Sequence, residues 1–272
     1  MKMQNILCAY NGNDRAVASL RYAIRIASHY DGWLTGIVRH GRPVIESRFS
    51  NQLPQEILDR LQDSDAAKIR KISDDFTAET KARGLAERAE FLEITDDKEL
   101  VLAEVARLYD LVVTGVPSRD IADTHLAAHP DLVALQSGRP VLVVPDAYAR
   151  DGLADHAIVA WDGKRSAARA LGDAMSVLED KAKVTVLCVG KEAPRGSERL
   201  IRNLRRHGIN AELLVTPARG SIGQTVLDTT RDIGAQLIVM GAYEHSKFSH
   251  DLFGGPTTDV MEHATVPVFL SH

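Results

Sequence analysis

A chain of 272 residues, 44% apolar and 26% charged, has the size and balance of a globular protein with one large or two ordinary domains and its own core. A formal net charge of -4 gives no electrostatic case for nucleic acid or an anionic membrane surface. No apolar run reaches the roughly 18 residues of a membrane span, and the start, "MKMQNILCAYNGND", enters a strand and turn without a signal-peptide core, so a cytoplasmic protein is expected.

In chain order, "NILCAY" reads as a strand that ends in the turn Asn11-Gly12, and "RAVASLRYAIRIA" follows as a helix. Between Arg39 and Gly84 the chain carries a longer, highly charged segment. From Leu53 its apolar residues recur at helical spacing, which predicts one long surface helix or a broken pair. Such a helix is structural and solvated, or it docks a partner. "ARLYDLVVTGV", Ala106 to Val116, and "GRPVLVVP", Gly138 to Pro145, supply further strands. "DAYARDGLADH", Asp146 to His156, is polar and reads as a link.

Strand "AIVAW" then ends at Asp162-Gly163, and "SAARALGDAMSVLED" has the period of a helix. "AKVTVLCVG" is continuous and β-branched, as a strand buried on both faces should be. The amphipathic helix "GSERLIRNLRRHG" is stopped by Gly208. Strand "INAELLV", helix "SIGQTVLDTTRDIG" with Ser221 as N-cap, strand "AQLIVMG", helix "PTTDVMEHA" and strand "VPVFLS" complete the series. Cys8 and Cys188 both lie in apolar strand runs and are expected to be buried free thiols.

The chain repeats itself. "NILCAYNGNDRAVASLRYAIRIA" is matched by "HAIVAWDGKRSAARALGDAMSVL", with Ala9 on Ala160, Tyr10 on Trp161, Asn11 on Asp162 and Gly12 on Gly163. The strands ending in Gly115 and Gly241 match in turn, and so do the last strands of each half, in the same order. The reading is two α/β domains, 1–146 and 156–272, each an open, doubly wound five-stranded parallel sheet with helices on both faces. The first carries the long helical insert.

In such sheets ligands sit beyond the carboxyl ends of the strands, where strand order reverses. There the second half offers "MGAYEHSKFSHDLFGGPTTDV", Met240 to Val260. Its glycines admit backbone N–H groups to phosphate oxygens, and a helix beginning at Pro256 aims its positive end at the same place. Thr257 and Thr258 add hydroxyls, and Asp162 is placed to bond a ribose or an adenine edge. Glycines after strands are also ordinary turn residues.

The tandem layout, "AWDGK" and "MGAYEHSKFSHDLFGGPTTDVMEHATVPVFL" resemble the universal stress protein family over nearly the whole chain, most strongly from Ala157 to Leu270. Many members bind ATP through a loop patterned Gly, two residues, Gly, nine residues, Gly, then Ser or Thr; others lack the pattern and bind none. The resemblance implies a strand-end aspartate at Asp162, flanked by Trp161, and a main-chain adenine contact near Val189. It also implies a phosphate loop running from Met240 and Gly241 to Gly254, Gly255 and Thr257. Glu244 stands at the second glycine position and Gly255 at the Ser/Thr position. A carboxylate repels phosphate. Glu244 therefore opposes a nucleotide, faces solvent, or helps hold a divalent cation, and the sequence leaves the three open. The first half keeps Gly115, lacks the Gly-Gly pair and has Asn11 for the aspartate, so it is read as degenerate and nucleotide-free.

Weaker constellations have plain explanations. His125 and His129 have metal-ligand spacing, but Pro130 follows and no carboxylate set accompanies them. Ser166 with His245 lacks a nucleophile-elbow pattern, and Arg199 to His207 is a solvated basic face. No catalytic or metal-ligand set is assigned. The expectation is a stress-response regulator that binds ATP, ADP or AMP in its second half, with or without Mg, with slow hydrolysis at most. It would act through an unidentified protein partner, as an internal pseudo-dimer open to further homodimerisation. The alternative is a scaffold of the same fold that binds no nucleotide.

Overall fold

The computed structural model describes residues 3–13, 16–40, 54–95, 101–117, 128–242 and 255–272. Strands β1 (Asn5–Ala9), β2 (Trp33–His40), β3 (Ala89–Thr95), β4 (Leu111–Gly115) and β5 (Val141–Val144) alternate with helices α1 (Val17–His29), α2 (Gln55–Ala82), α3 (Val101–Ala106) and α4 (Pro130–Gln136). After the link come β6 (His156–Ala160), α5 (Arg165–Leu178), β7 (Lys183–Val189), α6 (Ser197–Arg206) and β8 (Ala211–Thr216). The chain closes with α7 (Ile222–Asp232), β9 (Leu237–Gly241), α8 (Pro256–His263) and β10 (Val268–Ser271). The charged segment read as one helix or a broken pair is a single helix of 28 residues, α2.

The alternation of apolar strand and amphipathic helix builds a parallel sheet covered on both faces, because a strand that feeds a right-handed crossover must return beside its predecessor. What the repeat did not reveal is that both sets of five strands form one sheet, ordered β3-β2-β1-β4-β5-β10-β9-β6-β7-β8. Every neighbouring pair is parallel except β5 with β10, which run antiparallel with Val143 opposite Val268, Leu142 opposite Phe269 and Val141 opposite Leu270.

The internal symmetry reaches single bonds. Val112 N–H donates to the Pro140 carbonyl at 3.0 Å, and its counterpart Ile238 N–H donates to Pro267 at 2.9 Å. Tyr10 N–H meets the Ile37 carbonyl at 3.0 Å as Trp161 N–H meets that of Leu187 at 2.8 Å.

Two apolar layers sandwich the sheet. One joins Leu20, Ala23, Ile72, Phe76, Ala174, Leu178 and Leu204 to strand residues that include Leu142 and Phe269. The other joins Leu102, Val133, Val226, Val260 and Met261 to Val141, Val143, Val268 and Leu270. Both layers run through the β5–β10 seam, so the halves share their cores. Helix ends add polar ties across it: the Tyr30 hydroxyl donates to the Ser176 carbonyl at 3.2 Å, and His29 Nε2 lies 3.1 Å from Asp180 Oδ2.

Local signals act as expected. Ser221 Oγ accepts from Gln224 N–H at 3.0 Å and caps α7. Past Gly208, Ile209 N–H reaches back to the Leu204 carbonyl at 3.1 Å and closes α6. Of the basic residues on α6, Arg205 is tied down, with Nε and Nη2 on the Ala211 carbonyl at 3.1 and 3.0 Å. Cys8 and Cys188 are free and buried, and burial pushes the Cys8 thiol up to about 12 and that of Cys188 upward.

Truncating Phe269, 1% exposed at the seam, removes a core ring. Phe269→Ala should cost about 3–5 kcal/mol in urea unfolding. Loss of the cap in Ser221→Ala should cost about 1 kcal/mol. Thiolate, not thiol, reacts with disulfide reagents; both cysteines should therefore react with such a reagent only at the rate at which the protein unfolds.

Candidate functional site

Strand order fixes where a ligand can lie. In the second half the chain leaves β6 toward β7 and β8, then crosses back to place β9 on the other side of β6. The carboxyl ends of β6 and β9 therefore flank a crevice, the switch point of an open α/β sheet. Trp161 and Asp162 follow β6, Val189 ends β7, and Met240 and Gly241 end β9, so five of the candidate residues come from adjacent strand ends.

These residues differ in what they expose. Met240 is 6% exposed and its side chain belongs to the core, which leaves its main chain as the group at the site. Trp161 and Val189 are half-buried and pack against the two apolar layers. Asp162 is the open one, with its side chain 49% exposed.

Asp162 has a local task that sequence reading missed. Its Oδ1 accepts Lys164 N–H at 2.9 Å and closes a turn over Gly163. Asn11 does the same in the first half, accepting Asn13 N–H at 3.2 Å. The turn needs a side-chain acceptor and no charge, so Asn suffices there. The i to i+2 pattern Asp-Gly-Lys and Asn-Gly-Asn could have signalled this. In the second half Oδ2 is left facing Lys164 Nζ at 3.9 Å, a distance that leaves it open to a further donor.

Gly241 is required by packing. A β-carbon there would stand 2.5 Å from the Ser166 carbonyl carbon and 2.7 Å from the Ala167 nitrogen. The glycine thus lets the end of β9 touch the first turn of α5, which brings that helix's positive end to the crevice. The Ser166 side chain is buried in this contact, and its suggested partner His245 lies outside the described residues.

Gly255, immediately before α8, has φ 118° and ψ 172°. Residues with a β-carbon are essentially barred from that region. The Ser/Thr expected from the family pattern could not take this backbone without strain, so Gly255 is a conformational requirement at this position. Pro256 then occupies the first turn of α8. Thr257 is 7% exposed and already engaged within the protein, so its hydroxyl is not open to solvent. Gly254 and Glu244 lie outside the described residues.

In the first half α2 lies against the equivalent turn. Where Gly163 lies against Pro194, Gly12 lies against Ile72 of α2, whose Cγ1 would be 2.5 Å from a β-carbon on the glycine. The cavity lined by Asn11, Thr114, Gly115 and Asp146 holds about 30 Å3, room for a water or two. His129 precedes Pro130 at the start of α4, and His125 is outside the described residues. Among the described residues no group of three His, Cys, Asp or Glu could hold a metal ion.

Comparison with known proteins places this architecture. Residues 154–272 match the model of the universal stress protein family. The match covers the second half of the chain. A universal stress protein of Synechocystis is 23% identical over 98% of this chain and 99% of its own. The fold also matches the crystal structure of a universal stress protein from Archaeoglobus fulgidus, with a TM-score of 0.72, 16% identity and coverage of 100% and 96% of the two chains. A putative universal stress protein from Pseudomonas aeruginosa matches with a TM-score of 0.59, 15% identity and coverage of 99% and 93%. Both structural matches span the chain nearly end to end, so its tandem fold is that of these universal stress proteins. No helix among the described residues is long and apolar enough to cross a membrane.

Two substitutions probe the backbone of the site. Gly255→Ala should lower stability by about 1–3 kcal/mol, read as a fall in the urea midpoint, because alanine is strained at this φ and ψ. Gly241→Ala should likewise destabilise, by about 1–3 kcal/mol, through the forced separation of β9 from α5.

Proposed function

We propose that the second half binds an adenine nucleotide in the crevice between β6 and β9, and that the protein is a nucleotide-responsive regulator of the stress response. The supporting observation is the convergence of three groups at one switch point. These are the half-exposed Asp162 carboxylate, the positive end of α5 held against Gly241, and the start of α8, turned by the glycine-only backbone at Gly255. The match of residues 154–272 to the universal stress protein model supports the reading.

In this reading Asp162 Oδ2 accepts a ribose hydroxyl while Oδ1 stays on Lys164 N–H. The main chain at Val189 faces the adenine, flanked by Trp161. Met240 and Gly241 at the end of β9, with Gly254, Gly255 and Thr257, frame the phosphates; Gly255 offers an N–H and Thr257 serves through its backbone. ATP, ADP and AMP are the candidates, and Mg would enter with the phosphates. Hydrolysis is slow, because the acid at the site is spent on a turn and on the ribose. The first half acts as a packing partner, since α2 crosses its loop at Gly12.

Nucleotide released on denaturing the purified protein should be identified by mass spectrometry, and the emptied protein titrated with ATP, ADP and AMP by calorimetry. One site per chain is expected. Asp162→Ala should weaken it about tenfold or more, since a hydrogen bond to a charged group is worth about 1.5–3 kcal/mol, with no change in melting beyond the lost turn. No bound nucleotide and no heat at millimolar ligand would overturn the reading in favour of a scaffold that works through protein contacts.

A further inference from the structure

At the opposite edge of the sheet, where the strands begin, the two halves enclose a cleft of about 600 Å3. Its walls come from both halves. Helix α1 contributes Arg25, Ser28 and His29, the end of α2 contributes Arg83, the link contributes Leu153 and Asp155, and the turn after α5 contributes Asp180 and Lys181. The volume is in the range of metabolite sites, about 300–1,000 Å3.

Among the described residues, direct pairing inside the cleft leaves one charged group over. The carboxyl ends of α1, α2 and α5 lie here and carry partial negative charge, which Arg83 at the end of α2 offsets in part. Asp180 is held by His29 at 3.1 Å. Asp155 is held by Arg150 at 2.9 Å, and Arg83 by Glu79 at 2.9 Å. Arg25 donates to the Arg150 carbonyl through Nη1 and pairs through Nη2 with the fully exposed Asp151 at 3.2 Å.

Lys181 is different. It is 8% exposed, yet its ammonium forms no hydrogen bond or ion pair among the described residues. Asp180 and Asp155 act on it only at longer range, and burial pushes its pKa down further than they hold it up. A buried cation left so under-compensated is costly unless another charge reaches it.

We propose that this cleft is a binding site for a small organic anion, a carboxylate or a phosphate monoester, with Lys181 taking its charge. Arg25, anchored through Nη1 on the Arg150 carbonyl, stands at the rim with Nη2 as a second donor, since the exposed pair with Asp151 is easily exchanged. Leu153 and Ile24 line the wall against which an apolar body would rest. Because residues from both halves and the link line the cleft, an occupant would tie the halves together at the edge away from the nucleotide crevice. The inference does not depend on nucleotide binding.

The test uses the full chain with Cε-labelled lysine, the Lys181 resonance being assigned by its absence in Lys181→Met. The probes are benzoate and glycerol 3-phosphate; benzyl alcohol and chloride at matched ionic strength are the controls. The Lys181 ammonium should titrate below ordinary lysines, and at least one probe should raise its pKa by about half a unit or more while chloride does not. Calorimetry should give saturable binding that weakens about tenfold or more in Lys181→Met and is unchanged in Asp162→Ala. A response to benzoate alone marks a carboxylate site, and to glycerol 3-phosphate alone a phosphate site; either supports the proposal. A Lys181 resonance unmoved by both probes overturns it. Equal binding by Lys181→Met, or loss of binding in Asp162→Ala, overturns it as well.

Discussion

The antiparallel pairing of β5 with β10 is the constraint on which the rest depends. Each half alone would end in an open strand edge, with unpaired N–H and C=O groups and an apolar face on either side. Pairing the two edges removes both liabilities together. It makes the apolar layers continuous, places Leu142 opposite Phe269, and brings α1 against α5 so that Tyr30 and His29 reach Ser176 and Asp180. The pairing is antiparallel because the halves are related by a near two-fold axis at the seam, as in an isologous dimer. One chain thereby holds the arrangement that two separate copies would need to assemble.

The pairing also sets the positions of the ligand-sized spaces. The switch points lie at the carboxyl ends of the strands in both halves, while the seam cleft lies at the amino ends. The two edges have opposite electrostatics. At the crevice edge helices begin and present N–H groups; at the cleft edge helices end and present carbonyls. Basic residues gather at the cleft edge for that reason, and Lys181 stands out because its neighbours are already satisfied.

The halves have diverged by small changes on one frame. Asn11 and Asp162 close the same turn, and only Asp162 carries a charge beyond what the turn uses. Gly12 and Gly163 are both crowded, the first by Ile72 of a helix of 28 residues and the second by Pro194 in a short loop. The lengthened α2 lies across the first half's loop, whereas in the second half the short loop carrying Pro194 meets the matching glycine. A departure from the family loop pattern at Gly255 turns out to follow from backbone geometry, because φ and ψ there exclude a residue with a β-carbon.

The sequence by itself determined the alternation of strand and helix, the repeat, the buried thiols, the Ser221 cap and which residues end β6, β7 and β9. All of these are written in local periodicity and in the spacing of turn and cap residues, which act within a few positions. Only the tertiary structure decided that the two sheets are one, because the edge partner of β5 is 127 residues away and any apolar edge strand would read alike. The same holds for the contact of Gly241 with Ser166, for α2 lying on Gly12, and for the unmatched Lys181. Each depends on which distant segments meet, and burial and charge balance exist only once they have met.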